Sequence, residues 1–280
     1  MPLNWPTFFT RLGSAVIFCI IMMTGLLWNS IGFTALVSLI QVLCLREYFL
    51  LMKKIYPDTY WPEWMANTIQ IICFVWLWLR SSVFFGWNPP PFHFLLFFPV
   101  LILLIAALDK NTALNAALQA FGGMIYIFLP MVMLVTMYTA GGFVLPLALI
   151  LMLWMNDTMA YLVGSFIGKT PFSPISPKKT WEGTAGGAIL TIAGAAIWGH
   201  YSGYYRMIDW IALALCAAIA GTAGDILESK LKRLADVKDS GTMMPGHGGA
   251  LDRFDSLLVA TPFAFAYAYL FMPPLPLHIF

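Results

Sequence analysis

Charged residues are scarce in this chain of 280 residues, because Asp, Glu, Lys and Arg together make up only 10% of it. Soluble globular domains carry about 25% charged residues, so this composition excludes an ordinary soluble domain. Hydrophobic residues reach 60% and the mean hydropathy is +0.81. We therefore expect an all-α, polytopic integral membrane protein.

Other common signatures are missing as well. The net charge is only +2 and no long basic run exists, which argues against a nucleic-acid-binding protein. The segment from Gly164 to Thr170 superficially resembles a P-loop, but its glycine spacing is one residue short and no strand precedes it. The cysteines lie in apolar stretches without CxxC or Cys/His spacing, which indicates neither a zinc site nor a disulfide framework. They are Cys19, Cys44, Cys73 and Cys216.

Apolar runs long enough to cross a bilayer as helices, about 20 residues each, predict nine membrane spans. They cover residues 12–28, 31–52, 66–87, 91–108, 112–138, 141–166, 184–200, 207–226 and 254–273. The fifth and sixth runs contain Pro130 and Pro146, where kinks are expected. We divide the chain into residues 1–140, predicted to be a scaffold with lipid-access or oligomer contacts, and residues 141–280, predicted to be the catalytic region with its cytoplasmic loops.

Basic residues fall mainly on one side of these nine predicted spans. The side with the N-terminus and the loops after even-numbered spans has twelve: Arg11, Lys53, Lys54, Lys110, Lys169, Lys178, Lys179, Lys230, Lys232, Arg233, Lys238 and Arg253. The other side has two, Arg80 and Arg206, and Arg46 lies within the second span. The positive-inside rule therefore places the first side in the cytoplasm.

The stretch from residue 225 to 256, which we call the charged hairpin, contains eleven of the chain's 28 charged residues. On a helix, residues at i, i+3, i+4 and i+7 share one face, and here these are Asp225, Glu228, Ser229 and Lys232. Asp252 and Asp255 repeat the i, i+3 spacing. Interleaved carboxylates and cations are typical of sites that bind a divalent metal and phosphate together. The alternative is that the basic residues only set the membrane topology and attract lipid head groups.

A second polar cluster precedes the seventh predicted span. Asp157 lies within an apolar run, where an unpaired charge would cost about 2.5–3.5 kcal/mol, so we expect a lysine or a metal as its partner. The run from Ser176 to Thr180 offers two ammonium groups and two hydroxyls that suit anionic oxygens. The alternatives are that Asp157 only caps or salt-bridges its helix and that Lys178 and Lys179 are ordinary positive-inside residues.

These two clusters resemble the phosphatidate cytidylyltransferase family, also called CDP-diacylglycerol synthases. The family signature runs Ser, any residue, aliphatic, Lys-Arg, four residues, Lys-Asp, then Pro-x-His-Gly-Gly and Asp-Arg-x-Asp. The matching positions are Ser229, Leu231, Lys232, Arg233, Lys238, Asp239, Gly241, Pro245, His247, Gly248, Gly249, Asp252, Arg253 and Asp255. The resemblance extends upstream through Asp157 to the Ser176–Thr180 run and covers residues from about 150 to 260.

The resemblance implies transfer of the cytidylyl group from CTP to phosphatidate at a bacterial inner (plasma) membrane, with the active site facing the cytoplasm. It implies Mg²⁺, admits a second ion such as K⁺, and allows a homodimer. The metal ligands implied are Asp225, Asp252 and Asp255. The catalytic set is Asp225, Ser229, Lys232, Lys238, Asp252 and Arg253. The substrate-binding set is Asp157, Ser176, Lys178, Lys179, Thr180, Arg233, Asp239, His247, Gly248 and Gly249. For His247, phosphate contact and completion of a turn stay open.

Two other functions fit parts of the pattern. A CTP-dependent polyprenol kinase, or a cytidylyltransferase for another lipid phosphate, would use a similar site, and a kinase would release CDP instead of pyrophosphate. A transporter would instead show internal repeats and charges at the bilayer midplane. Here the charges gather at the ends of helices on one side and no repeat is evident.

Overall fold

The computed structural model describes residues 5–60, 62–81, 104, 114–243 and 248–273, with the backbone alone at residues 5–11 and 63. Regular structure in these ranges is helical. The helices are α1 (Trp5–Trp28), α2 (Ser30–Ile55), α3 (Glu63–Arg80), α4 (Leu114–Gly123), α5 (Leu129–Gly141), α6 (Val144–Ile167), α7 (Trp181–Ser202), α8 (Met207–Leu234) and α9 (Leu251–Phe271). A π-helical turn, Met124–Phe128, joins α4 to α5.

Five helical stretches in the described ranges are long and apolar enough to cross a membrane: Ser30–Ile55, Leu114–Gly141, Val144–Ile167, Met207–Leu234 and Leu251–Phe271. Large apolar side chains such as Ile17 and Phe263 are exposed, as lipid-facing residues are. The all-α membrane fold is thus confirmed. The predicted number of nine spans is not confirmed, and the predicted fourth span, 91–108, lies outside the described residues except for Leu104.

The two prolines expected to kink helices behave differently. Pro130 is the second residue of α5 and directly follows the π-helical turn, so the helix is irregular at this point. A proline has no N–H to donate and clashes with the preceding turn, which explains a local change of helical hydrogen bonding. Pro146 lies in the first turn of α6, where the backbone N–H has no intrahelical partner and proline is tolerated.

The chain divides into two compact units. The first comprises Met1–Thr139 with Leu234–Arg253, and α2 is its central helix, contacting α1, α3 and α4. The ring of Tyr48 passes so close to the backbone of α4 that a Cβ at Gly123 would lie 2.8 Å from the Tyr48 ring. The Tyr48 hydroxyl donates to the Gln119 carbonyl at 3.1 Å. Small residues on α4 therefore let α2 pack closely against it.

The second unit comprises Ala140–Arg233 with Phe254–Phe280, and its closest helix pair is α6 with α7. Glycines on α7 make this approach possible, because a Cβ at Gly183 would lie 2.7 Å from the Ala160 carbonyl oxygen and one at Gly187 would lie 2.8 Å from that of Asn156. The many small residues of α7 and α8 predict that these helices pack closely against neighbours, and α7 does so against α6. The end of α6 is thereby fixed against the start of α7.

A buried carboxylate, Asp209, links the start of α8 to α9 within the second unit. Asp209 has no exposed surface and accepts from the Arg206 guanidinium at 2.9 Å and from the Tyr267 hydroxyl at 2.9 Å. Charge-assisted hydrogen bonds of this kind compensate a carboxylate that has been removed from water. This cluster lies at the end of α8 opposite to Asp225, so it is structural and separate from the polar residues described next.

Candidate active site

The loop between α6 and α7, residues 168–180, carries the basic run and is called here the SPKKT loop. It folds back on itself, since Phe172 N–H donates to the Lys179 carbonyl at 2.8 Å and Trp181 N–H donates to the Thr170 carbonyl at 3.0 Å. Thr180 is the N-cap of α7, and its hydroxyl accepts from Gly183 N–H at 3.1 Å. The loop is thus held at the helix start by ordinary capping chemistry.

Glu182, in the first turn of α7, holds the start of the SPKKT loop by hydrogen bonds to Lys169 and Thr170. Its carboxylate accepts from the Thr170 hydroxyl at 2.8 Å and from the backbone N–H groups of Lys169 and Thr170 at 3.2 Å each. Hydrogen bonds to its own backbone N–H and then to Thr170 and Lys169 lower the pKa of Glu182 to about 2. Sequence reasoning did not assign this role, although an acidic residue in a first helical turn is a known stabilising pattern.

We expect acid to loosen the SPKKT loop through Glu182. Its folded pKa of about 2 lies below the ordinary 4.5, so the ionised carboxylate stabilises the loop above about pH 4.5. That contribution is lost as the pH falls from 4.5 through 2. Cleavage of the loop by pepsin in detergent should therefore accelerate between pH 5 and pH 2.

The matched variants sharpen this test. Because pepsin itself is more active at lower pH, rates are compared at each pH. Glu182→Gln should be cleaved faster than wild type at pH 5 and at nearly the same rate at pH 2, while Asp58→Asn, at an exposed site in the first unit, should match wild type throughout. Equal cleavage of wild type and Glu182→Gln at pH 5 would show that the carboxylate does not hold the loop.

A polar cavity of about 520 Å³ lies beside the SPKKT loop, entirely within the second unit. It brings together residues that are up to 70 positions apart in sequence. Those from the predicted site are Asp157, Ser176, Lys178, Lys179, Thr180 and Asp225. Asn156 also lines the cavity, and its buried side-chain oxygen has no hydrogen-bond partner among the residues that the structure describes. The volume is in the range of cavities that hold small molecules.

Three carboxylates lie close together, and one of them, Asp225, lines this cavity. Asp225, Glu228 and Asp255 each offer an oxygen, and these oxygens lie within 4.8 Å of one another. A Cβ at Gly224 would overlap the Asp255 carbonyl oxygen, so glycine at 224 permits this approach of α8 to α9. Glu228 is fully buried. Sequence reasoning placed Glu228 on the right helix face but did not name it as a ligand.

Lysines and a hydroxyl compensate this negative charge. Lys179 forms an ion pair with Asp225, and Lys232 pairs with Glu228 at 2.6 Å. The Ser229 hydroxyl donates to Asp225 at 3.4 Å. Three carboxylate oxygens at this spacing are the donor set that a hard divalent cation prefers, so the residues fit Mg²⁺. The predicted role of Asp225 and Asp255 as ligands is compatible with this geometry.

Asp252 belongs to the first unit and has different neighbours. Its Oδ2 accepts from the N–H of Ser240 at 2.9 Å and from Gly249 N–H at 2.7 Å, and it lies 3.0 Å from the Ser240 hydroxyl, whose one proton it shares with Glu47. Gly248 has φ of +82°, and a Cβ there would lie 2.5 Å from Asp252 Oδ2. The glycines that were expected to approach a ligand therefore also make room for the Asp252 carboxylate.

Glu47 on α2 is the residue that sequence reasoning missed altogether. It accepts from the Ser240 hydroxyl at 2.7 Å, from Ala250 N–H at 2.9 Å and from Leu251 N–H at 2.8 Å. Only the presence of an acid inside an apolar run could have drawn attention to it.

The other predicted site residues are less constrained. Arg233, Lys238, Asp239 and Arg253 are exposed. His247 lies outside the described residues. The predicted roles of these five residues stay predictions.

Comparison with known proteins gives a consistent family. A family model described as "Cytidylyltransferase family" matches residues 9–271. A phosphatidate cytidylyltransferase of Bacillus subtilis is 44% identical over 121 residues, 42% of this chain and 45% of the relative. One of Haemophilus influenzae is 40% identical over 137 residues, 47% of each chain. These matches span about half the length of those relatives.

A longer match is found in Escherichia coli K12. The uncharacterized protein YnbB is 31% identical over 266 residues, 90% of this chain and 83% of the relative. The similarity thus extends into the N-terminal helices, where sequence reasoning saw only hydrophobicity.

Proposed function

Because this chain belongs to the cytidylyltransferase family, we propose that it transfers the cytidylyl group of CTP to phosphatidate, forming CDP-diacylglycerol and releasing pyrophosphate. The observation that carries the proposal is the polar cavity, where Lys178 and Lys179 lie with the carboxylate of Asp225 in a membrane protein. Relatives named phosphatidate cytidylyltransferase support the choice of both substrates.

In this reaction a phosphate oxygen of phosphatidate forms a bond to the α-phosphorus of CTP. The bond from that phosphorus to the oxygen bridging the β-phosphorus breaks, and pyrophosphate leaves with the bonding electrons. The attacking group is a phosphate monoester, which is largely ionised at neutral pH, so no general base is required. The difficulty that the protein must overcome is repulsion between two anions.

The chain's own residues can reduce that repulsion. The ammonium groups of Lys178 and Lys179 and the hydroxyls of Ser176 and Thr180 line the cavity and suit phosphate oxygens. Asp225, Glu228 and Asp255 would hold Mg²⁺, which when bound supplies additional positive charge for the phosphates. We propose Asp252, Arg253 and Lys238 as further catalytic residues because they carry the family signature. A second ion such as K⁺ and a homodimer also stay proposals.

A lipid acceptor is supported by a second cavity in the same unit. This apolar cavity, of about 350 Å³, is lined by side chains from α6 and α7 that include Leu151, Met155, Ala195 and Trp198. Both cavities are lined by residues of α6 and α7. The polar cavity suits the anionic head group of a lipid, and the apolar cavity suits its acyl chains. The positive-inside rule supports an active site on the cytoplasmic face, and we propose the bacterial inner membrane as the location of the protein.

The decisive experiment incubates purified protein in detergent with CTP, Mg²⁺ and phosphatidate. We expect CDP-diacylglycerol and pyrophosphate in equal amounts, and no product when EDTA is added. A parallel reaction with polyprenol in place of phosphatidate tests the kinase alternative. CDP and polyprenyl phosphate as products would overturn the proposal, as would nucleotide-independent uptake of a labelled solute into liposomes without any CDP-lipid formation.

A further inference from the structure

Glu47 joins the N-terminal half of the chain to the start of the helix that carries Asp252. We propose that Glu47 is a positioning residue, which fixes residues 240–241, residues 249–250 and the first turn of α9, and so orients Asp252. This inference rests on the proposed function, because Asp252 is a proposed catalytic residue. Glu47 itself touches no substrate in this account.

Glu47 caps the N-terminus of α9, although it is far from this helix in the sequence. Ala250 and Leu251 stand at the N-terminus of α9, where backbone N–H groups have no intrahelical partner. Glu47 accepts from both of these groups, although it precedes them by 203 and 204 positions. The positive end of the helix dipole favours a carboxylate here, and charge-assisted hydrogen bonds are the stronger kind.

Two glycines of this segment make room for the Glu47 carboxylate. Glu47 is only 8% exposed. A Cβ at Gly241 would lie 2.6 Å from the carboxyl carbon of Glu47, and one at Gly249 would lie 2.5 Å from its Oε1. Glycine at these two positions therefore leaves the space that the Glu47 side chain occupies.

Ser240 connects Glu47 to Asp252. Its hydroxyl lies 2.7 Å from Glu47 Oε2 and 3.0 Å from Asp252 Oδ2. The backbone N–H of Ser240 donates to Asp252, as does that of Gly249, the residue before Ala250. These two backbone donors to Asp252 thus come from Ser240, which contacts Glu47, and from Gly249, which adjoins a residue that does. Movement of Glu47 would shift the hydrogen bonds that orient Asp252.

The critical variant is Glu47→Gln, which keeps the side-chain size but replaces one acceptor oxygen with an NH₂ group that faces backbone N–H donors. We expect kcat to fall about 10- to 100-fold, the usual effect of disturbing a group that orients a metal-site or catalytic residue. The KM for CTP should change by less than about twofold. Amide hydrogen exchange of residues 249–251, measured by mass spectrometry, should become faster.

Helix α2 offers a matched control in Gln41. It is fully buried like Glu47, but neither polar atom of its side-chain amide has a hydrogen-bond partner in the described part of the chain. Gln41→Met, of similar volume, should therefore leave kcat and the exchange of residues 249–251 unchanged. Should Glu47→Gln fold poorly, Ser240→Ala provides a milder variant, with a smaller loss of kcat in the same direction and faster exchange at Gly249.

The outcomes separate the inference from the proposed function. Unchanged exchange and unchanged kcat in both Glu47→Gln and Ser240→Ala would overturn the inference. Faster amide exchange in Glu47→Gln with a normal kcat per folded molecule would show that Glu47 only stabilises this segment, and it would also overturn the positioning role. Wild-type protein that forms no CDP-lipid would overturn the proposed function, whereas the exchange comparison would still report whether Glu47 holds this segment.

Discussion

Asp225→Asn is expected to slow CDP-diacylglycerol formation by about 10²- to 10³-fold, which corresponds to about 3–4 kcal/mol of lost transition-state stabilisation. Asparagine keeps the shape of the side chain but removes the charge that pairs with Lys179 and that would bind a cation with Glu228 and Asp255. The measurement is the initial rate with saturating CTP and phosphatidate, normalised to folded protein. The Mg²⁺ concentration that gives half-maximal rate should rise as well.

Asp209→Asn is the matched control for this variant. Asp209 is also an ion-paired carboxylate on α8, but it lies 16 residues earlier in the helix, about 24 Å away. Its substitution should lower thermal stability, because a buried hydrogen-bonded charge is lost, and leave the rate per folded molecule within about twofold. A near-normal rate for Asp225→Asn would contradict the proposed role of Asp225 in catalysis.

Asp252→Asn is expected to lower the rate about 100-fold or more while the protein stays folded. The N–H groups of Ser240 and Gly249 both donate to one oxygen of Asp252, Oδ2, and the amide oxygen of asparagine can still accept from them. The loop geometry should therefore persist while the negative charge is lost. Activity and thermal unfolding in detergent are to be measured on the same preparation.

Asp236→Asn controls for general effects of charge removal near the charged hairpin. Asp236 is exposed and has φ of 52°, a left-handed conformation that asparagine adopts readily. Normal activity is expected for this variant. If Asp252→Asn instead unfolds at lower temperature but keeps its rate per folded molecule, Asp252 is a structural residue.

Local features of the fold and of the site were predictable from the sequence. Apolar runs predicted most of the described helices because membrane spans need about 20 apolar residues, and the glycines of α7 predicted its close packing. The i, i+3 spacing on α8 placed Asp225 and Glu228 on one face. The Ser176–Thr180 run and Asp157 indeed meet Asp225 at one cavity.

Long-range contacts of single residues were not predictable in the same way. The sequence around Glu47 does not indicate that its partners are Ser240, Ala250 and Leu251. Hydrogen bonds between residues about 200 positions apart leave no periodic pattern in the sequence. The role of Glu182 was hidden for a related reason, because its partners depend on how the SPKKT loop folds back. The hydrogen bonds to Asp252 also required the conformation of Gly248 to be known.

The ion pair between Lys179 and Asp225 has a thermodynamic consequence for ligand uptake. An anion that draws the Lys179 ammonium toward itself releases the Asp225 carboxylate, and a cation that takes the carboxylate releases the ammonium. Each ligand thereby removes the competitor of the other, so their binding free energies are coupled with positive sign. If the site binds both ligands as proposed, this coupling is reciprocal by linkage: a nucleoside triphosphate would raise the affinity for the divalent ion by the same factor as the ion raises the affinity for the nucleotide.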